Sequence, residues 1–399
     1  MQKELGMKRT IEQIDVKGKR VLLRVDFNVP LDEHGNITDD TRIIETLPTI
    51  KYLLSKGAKL IICSHLGRPK GERNMKYSLA PVARRLIDLL LNKVYFARDT
   101  VGKDAVEKAK KLGTGEVLLL ENLRFHAEEE KNDPIFASKL AALAEVYVND
   151  AFGTSHRAHA SIVGVARLLP NAIGFLMGKE VNTLLSVLQD PERPFVAVLG
   201  GAKISDKIYV VMNLLRKADT ICIGGGMAYT FLKAKGHEVG ASLVDEEKLE
   251  LAANILKEAE TRGVRIILPV DHKCATVFSP SSKAIKVKKP DIPKNLIGLD
   301  IGNKTIRLFK RHLEIANTVI WNGPLGVFEF DNFSKGTKSI AKYIAKLKSK
   351  TIIGGGDSIA AVNKTGKAKN IWHISTGGGA SLKLLEGTEL PGVDVIEDV

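Results

Sequence analysis

The chain of 399 residues is 44% hydrophobic and 27% charged, an ordinary globular composition in a length that exceeds one hydrophobic core and predicts two domains. No apolar run approaches the ~18 residues of a membrane span, and the amino end MQKELGMKRTIEQ carries no signal or transit pattern, so a soluble, cytoplasmic protein is expected. A net charge of +14 fits a protein that handles phosphates, whether on nucleic acid or on small metabolites, or equally one whose lysines form solvated faces.

Along the chain, short β-branched runs alternate with helical patterns of ten or more residues, which predicts βαβ units and parallel sheets. In the first half strands are expected at VLLRVDF (21–27), LIICSHL (60–66), VYFARD (94–99), VLLLEN (117–122) and VYVNDAF (146–152). Within KEVNTLLSVLQDPERP (179–194), Val181, Leu184, Leu185 and Leu188 recur at helical spacing until Pro191, which predicts a connecting helix. The second half repeats the scheme at FVAVLGG (195–201), TICIGGG (220–226), RIILPVD (265–271), TVIWNGP (318–324) and TIIGGGD (351–357), with IWHIST (371–376) as a sixth strand. The expected fold class is therefore α/β, two doubly wound parallel-sheet, Rossmann-like domains over 1–178 and 191–376, joined by a helix and hinge at 179–190. Cys63, Cys222 and Cys274 are odd in number and far apart, which suggests reduced core thiols rather than disulfides or a zinc site.

Ligands of open parallel sheets bind beyond the carboxyl ends of the strands, so the residues that follow each run carry the functional signal. In the first half these are charged: Asp26 and Asn28, His65 and Arg68, Arg124, then His156, Arg157 and His159. Arginine forks match phosphate and carboxylate oxygens, so repeated arginines at strand ends predict a small-anion site, although each one alone reads as a surface ion-pair partner. In the second half the strand ends are glycines: GGAK (200–203), GGGM (224–227), NGPLG (322–326), GGGDS (354–358) and STGGGAS (375–381). Successive amides without Cβ atoms can line a phosphate, and a helix that starts there adds its positive end. Asp357 is then placed to reach a divalent metal on nucleotide phosphates; Asp357 or Ser358 is also suited to cap the helix.

Neither a Walker phosphate loop nor a dinucleotide fingerprint is present, and no protein-kinase H-R-D motif occurs. In GGAKISDK, Lys203 and Lys207 are four apart at an expected helix start, where both can face a phosphate chain, as can any solvent-exposed pair. His156 and His159 lie three apart without a third metal ligand nearby in sequence. The aromatic residues form no series among the basic ones, which counts against a single-strand nucleic-acid platform.

LRVDFNVP (23–30), DTRIIETLPTI (40–50), SHLGRPKGER (64–73), YSLAPVA (77–83), LLENLRF (119–125), NDAFGTSHRAHAS (149–161), LGGAKISDKI (199–208), GGGMAYTF (224–231), WNGPLGVFEF (321–330), IIGGGDS (352–358) and STGGGASLKLLEG (375–387) occur in this order. Through them the chain resembles the phosphoglycerate kinase family from about residue 8 onward. The resemblance implies a usually monomeric kinase that reversibly transfers the acyl phosphate of 1,3-bisphosphoglycerate to ADP, with Mg2+, giving 3-phosphoglycerate and ATP. It implies a phosphoglycerate pocket of Asp26, Phe27, Asn28, Arg42, His65, Leu66, Gly67, Arg68, Arg124 and Arg157. Lys203, Lys207, Gly225, Gly298, Glu329, Gly355, Gly356, Asp357 and Ser358 are implied for the nucleotide, Asp357 for the metal, and Arg42, Lys203 and Gly356 for catalysis. It further implies hinge closure and a carboxyl-terminal segment (377–399) that packs back on the first half. The alternative outside this class is a noncatalytic polyanion or nucleic-acid binding protein.

Overall fold

Residues 8–399 are described by the structure, a computed structural model. The first five expected strands form as β1 (Arg20–Arg24), β2 (Lys59–Cys63), β3 (Val94–Phe96), β4 (Val117–Leu119) and β5 (Val146–Asn149). A strand that the sequence reading did not anticipate, β6 (Asn171–Ile173), completes a wholly parallel six-stranded sheet in the order β3-β4-β2-β1-β5-β6. Only three residues long and set between Pro170 and Gly174, β6 offers no apolar run to detect. Beneath β1 and β2, the helix Thr41–Ser55 buries Ile43, Leu47, Ile50 and Leu53, one stripe at helical spacing.

The second half follows the same plan with β7 (Phe195–Leu199), β8 (Thr220–Ile223) and β9 (Arg265–Ile267). Before the parallel sheet resumes, β10 (His272–Ala275), β11 (Ile285–Val287) and β12 (Ile297–Ile301) form a separate antiparallel sheet in the order β11-β10-β12. That sheet was also unanticipated, because HKCA and IKV are short and lysine-bearing. With β13 (Thr318–Asn322), β14 (Lys350–Gly354) and the short β15 (His373–Ile374), the second parallel sheet runs β15-β14-β13-β7-β8-β9. β7, β8, β13 and β14 are buried throughout their middle positions, as strands covered by helices on both faces must be. The three cysteines are free and buried, and burial pushes the thiols of Cys63 and Cys274 up to about 12.

Two compact units result. One takes the chain up to Asn182 and returns for Glu389–Val399; the other is Thr183–Thr388. The return is anchored by Lys8 pairing with Asp398 (2.7 Å), by the Asn149 amide donating to the Gly392 carbonyl (2.9 Å), and by Gly392 N donating to Ser155 O (2.8 Å). The predicted connecting helix spans Phe175–Gln189, two residues short of Pro191. In each parallel sheet the chain first moves to one side of its opening strand and then jumps to the other. That reversal opens a crevice at the carboxyl ends of β1 and β5 in one unit and of β7 and β13 in the other.

Each unit also buries a carboxyl group. Asp150 accepts from Met177 N (2.9 Å) at the start of the connecting helix, and burial pushes it up to about 7. In the second unit, Asp300 accepts from Ile301 N (2.9 Å) and Gly336 N (2.8 Å) and is likewise pushed up to about 7 by burial. A carboxyl raised in the folded state adds stability that is complete below its unfolded value near 3.8 and fades as pH rises through 7. Asp150→Asn keeps the acceptor for Met177 without the titration. Its denaturation midpoint should therefore fall less than that of the parent between pH 5 and 8, by up to roughly 1.4 kcal/mol per pH unit. Equal pH slopes in urea titrations of the two proteins would contradict the assignment.

Candidate functional site

In the first unit, the loops that leave β1, β2 and β4 are laced together by hydrogen bonds. Asn28 accepts from Gly67 N at its Oδ1 (2.8 Å), and Arg124 donates to the Gly67 carbonyl (2.9 Å). Between them, Asn122 accepts from Leu66 N (3.2 Å) and donates to the carbonyls of Leu66 (2.7 Å) and Tyr77 (2.8 Å). Phe27 is wholly buried and donates its amide to Ser64 Oγ (2.9 Å). These contacts fix the strand-end residues on one rim.

Arg42, near the start of its helix, reaches Asp26 Oδ1 at 2.7 Å while its side chain stays 35% exposed. The Nε2 of His65 stands 3.9 Å from the same oxygen, and Nδ1 lies 3.4 Å from a guanidinium nitrogen of Arg24. Because a guanidinium only donates, Nδ1 is the acceptor and the imidazole proton sits on Nε2, toward Asp26. Burial, then the charges of Arg24, Arg124 and Arg42, hold His65 well below its ordinary pKa, so it is neutral at pH 7. His159 is held at about 3 by burial and by Arg24, Arg124 and Arg157. The structure thus brings Asp26, Phe27, Asn28, Arg42, His65, Leu66, Gly67 and Arg124 together. Arg157 enters through its charge, and the exposed Arg68 makes no ion pair among the described residues.

Arg24 is the residue that the sequence reading passed over. It is the last residue of β1, fully buried, and donates to Ser161 Oγ (2.8 Å) and the Val25 carbonyl. Ser161 in turn donates its amide (2.9 Å) and hydroxyl (2.6 Å) to the fully buried Glu129. An arginine set between Leu23 and Val25 in the apolar run VLLRV (21–25) is the signal that would have revealed it.

In the second unit the glycines divide into two kinds. A Cβ on Gly200 would lie 2.0 Å from the Pro324 carbonyl oxygen, and one on Gly225, whose φ is +67°, would lie 2.7 Å from the Gly201 carbonyl oxygen. These glycines let loop backbones pack on each other at the crevice where strand order reverses. Gly298, on β12, makes room for the Tyr229 ring in the same way. By contrast, a Cβ on Gly356 would meet nothing within 4 Å, and one on Gly378 would come no nearer than 3.8 Å, to the backbone of Gly355. Open space above glycine backbone is therefore a property of GGGDS and STGGGAS rather than of all five loops.

Two local expectations require correction. Lys203 and Lys207 do not share a helix face: residues 202–207 turn, and the helix starts at Ile208. Lys203 is exposed, whereas Lys207 donates to Asn322 O (2.9 Å) and Oδ1 (2.6 Å). Burial holds Lys207 down at about 8, opposed by Asp357 and Asp206. Nor does Asp357 or Ser358 cap the helix Gly356–Asn363, because Gly355 occupies that position with φ +87°. Ser358 instead accepts from Gly323 N (2.7 Å). The exposed Asp357 makes no hydrogen bond or ion pair among the described residues.

Lys207, Gly355, Gly356, Asp357 and Ser358 thus form one group, bound together by Asn322, which the sequence reading also missed. Asn322 is 3% exposed, and its Nδ2 has no hydrogen-bond partner. It lies 3.3 Å from where a Cβ of Gly355 would stand. Gly225 packs on the backbone of Gly201 and Pro324, Gly298 packs on the Tyr229 ring, and Glu329 is exposed beyond β13. No cluster of three or more His, Cys, Asp or Glu suited to a metal occurs among the described residues. Magnesium commonly takes one carboxylate plus substrate phosphates, so the lone, uncommitted Asp357 fits it.

The model of the family described as phosphoglycerate kinase matches residues 11–388. A phosphoglycerate kinase of Koribacter versatilis is 56% identical over 398 residues, spanning 98% of this chain and 99% of its own. One of Chlorobium chlorochromatii is 53% identical, spanning 98% and 100%. Among solved structures, phosphoglycerate kinase from Coxiella burnetii superposes with a TM-score of 0.87 at 38% identity, covering 97% of this chain and 98% of its own.

The two kinds of glycine should respond differently to alanine. Gly225→Ala forces a methyl onto backbone at positive φ and should cost about 1–3 kcal/mol, lowering Tm. Gly356→Ala should leave Tm unchanged or raise it, since alanine favours a first helical turn, while its methyl intrudes on the open cradle and weakens nucleotide binding. Thermal melts and nucleotide titrations of both variants check the contrast.

Proposed function

The chain belongs to the phosphoglycerate kinase family, and on that premise we propose that its two units divide the reaction between them. The activity is phosphoglycerate kinase activity: reversible phosphoryl transfer from 1,3-bisphosphoglycerate to ADP, giving 3-phosphoglycerate and ATP, a step of glycolysis. A noncatalytic polyanion-binding role has no support in these likenesses.

We assign phosphoglycerate to Asp26, Phe27, Asn28, Arg42, His65, Leu66, Gly67, Arg68, Arg124 and Arg157. The observation that carries this is the convergence of guanidinium charge on a neutral His65 whose Nε2 proton faces the rim. That rim offers forked donors and a fixed N–H to an anionic substrate, which would compete with Asp26 for Arg42 and with Glu130 for Arg124. In the second unit we assign the nucleotide phosphates to Lys207 and the backbone of Gly355 and Gly356, at the positive end of the helix Gly356–Asn363. Lys203, which is exposed, is assigned to the transferring group, and Gly225, Gly298 and Glu329 to the nucleoside. Asp357 would hold magnesium, which when bound neutralises phosphate charge.

Phosphoryl transfer asks little of a protein beyond positioning both reactants in line and compensating charge on the equatorial oxygens. Arg42 and Lys203 provide that compensation, and no protein nucleophile takes part. In-line transfer requires both substrates within bonding reach, so we assign the helix Phe175–Gln189 a hinge-bending role that also excludes water. We read the protein as a cytoplasmic monomer. An Arabidopsis thaliana relative, 53% identical, is named cytosolic, which supports the compartment, and no helix of the described residues is long and apolar enough to cross a membrane.

In a coupled assay of ATP formation, Arg42→Ala should lose on the order of 10² to 10³ in kcat, as loss of one charge-stabilising donor does elsewhere. Its MgADP affinity should stay within about twofold; loss of nucleotide binding would contradict the division of labour. MgADP affinity should also depend on pH through Lys207, whose proton is needed to pair with phosphate. Affinity should be level below pH 8 and then fall by up to tenfold per pH unit, and calorimetry of Lys207→Arg, which stays charged, should show a flat profile.

A further inference from the structure

We propose that Glu129, acting through Ser161 and Arg24, is a positioning residue for phosphoglycerate: it keeps the proton of His65 on Nε2, where that proton faces the rim. The inference rests on the assignment of phosphoglycerate to that rim. Glu129 is fully buried on the short helix Ala127–Glu130. Its carboxylate accepts hydrogen bonds from Ser161 alone among the described residues, from the amide (2.9 Å) and from the hydroxyl (2.6 Å).

From Glu129 to His65 each link has a forced direction, because an ionised carboxylate only accepts, a hydroxyl has one proton and a guanidinium only donates. Ser161 gives its hydroxyl proton to Glu129, so its oxygen is left to accept from Nε of Arg24 (2.8 Å). The serine itself is held in place, since its carbonyl accepts from the buried Tyr147 hydroxyl (2.7 Å). Arg24 uses one terminal nitrogen on the Val25 carbonyl and turns the other to Nδ1 of His65 (3.4 Å). Burial raises the pKa of Glu129, and the charge of Arg24, the two hydrogen bonds from Ser161 and the charge of Arg124 oppose that rise. The other group beside the carboxylate, His159, stands 3.8 Å away at Nδ1 and is neutral, held at about 3, so it does not replace Arg24 as the counter-charge.

If the Ser161 hydroxyl is removed, Nε of Arg24 becomes a buried donor without its acceptor, which is costly, and the guanidinium is drawn toward Glu129. If the charge of Glu129 is removed, Arg24 loses the anion that holds it. In both cases Nδ1 of His65 loses its donor, and the imidazole proton is free to occupy either nitrogen. A ring with its proton on Nδ1 offers the anionic substrate a lone pair at Nε2 in place of a hydrogen. Bound substrate and transition state are weakened alike by that change, so it appears in KM rather than in kcat.

Nitrogen-15 NMR of the imidazoles in the full chain near pH 7, with His65 assigned through His65→Gln, reads the tautomer. Initial rates with MgATP and 3-phosphoglycerate read its consequence. The parent should carry the His65 proton on Nε2. Ser161→Ala and Glu129→Gln should each move a substantial part of the population to Nδ1–H and raise KM for 3-phosphoglycerate about tenfold, with kcat and KM for MgATP within about twofold of the parent. A His65 proton that stays on Nε2 in both variants, a KM for 3-phosphoglycerate that does not move, or a KM for MgATP that rises in parallel overturns the proposal. A parent chain that does not turn over 3-phosphoglycerate would instead remove the substrate assignment, and the tautomer readings alone would then decide whether Glu129 positions His65.

Discussion

Positive charge at the carboxyl ends of parallel strands must be partly withdrawn from water if it is to act on an anion, and both units accept that destabilisation. In the first, Arg24 is fully buried and answered by the equally buried Glu129 through Ser161. In the second, Lys207 is held on the carbonyl and side-chain oxygen of Asn322, with its proton weakened to about 8. Burying charged groups adds little net stability compared with an apolar core. What it provides here is fixed direction, since the guanidinium of Arg24 determines which nitrogen of His65 carries the proton.

The architecture was legible because parallel strands buried on both faces are apolar throughout. Every predicted strand exists, and each ends a little earlier than its predicted run, since the last residues of VLLRVDF or VYFARD already belong to the loops that follow. β6 and the antiparallel sheet were not legible. β6 begins on Asn171 between Pro170 and Gly174, and β10 and β11 carry lysines, so none of them extends into the longer apolar run that revealed the equally short β3, β4 and β9. The return of Glu389–Val399 to the first unit rests on long-range contacts that no local pattern encodes.

Site residues were legible where they break the apolar pattern just beyond a strand, as Asp26, His65 and Arg124 do. Those on the last position of a strand, such as Arg24 and Asn322, were absorbed into the run. The glycines show a different limit. Sequence shows that a Cβ is missing without saying what occupies its place, and the occupant differs: Pro324 backbone at Gly200, a tyrosine ring at Gly298, open space at Gly356. Glycine-rich composition therefore does not tell a loop packed on protein from one that is open above its backbone.

The local geometry around Asp357 favours a ligand role over a structural one for that acid. A cap is recognised by a side-chain oxygen accepting a first-turn amide, and Gly355 stands in that position without one. Ser358, one residue further on, is committed to Gly323 N, which ties the loop after β14 to the loop after β13. Asp357 lies between these two structural residues with its carboxylate uncommitted and exposed. Beneath the same loop, the buried Nδ2 of Asn322 lacks an acceptor, and an unsatisfied buried donor is costly unless a partner completes it. A donor below, open glycine backbone and a free carboxylate at the rim are together suited to a phosphate that arrives with its own cation, whereas a cap alone would leave both polar groups without purpose.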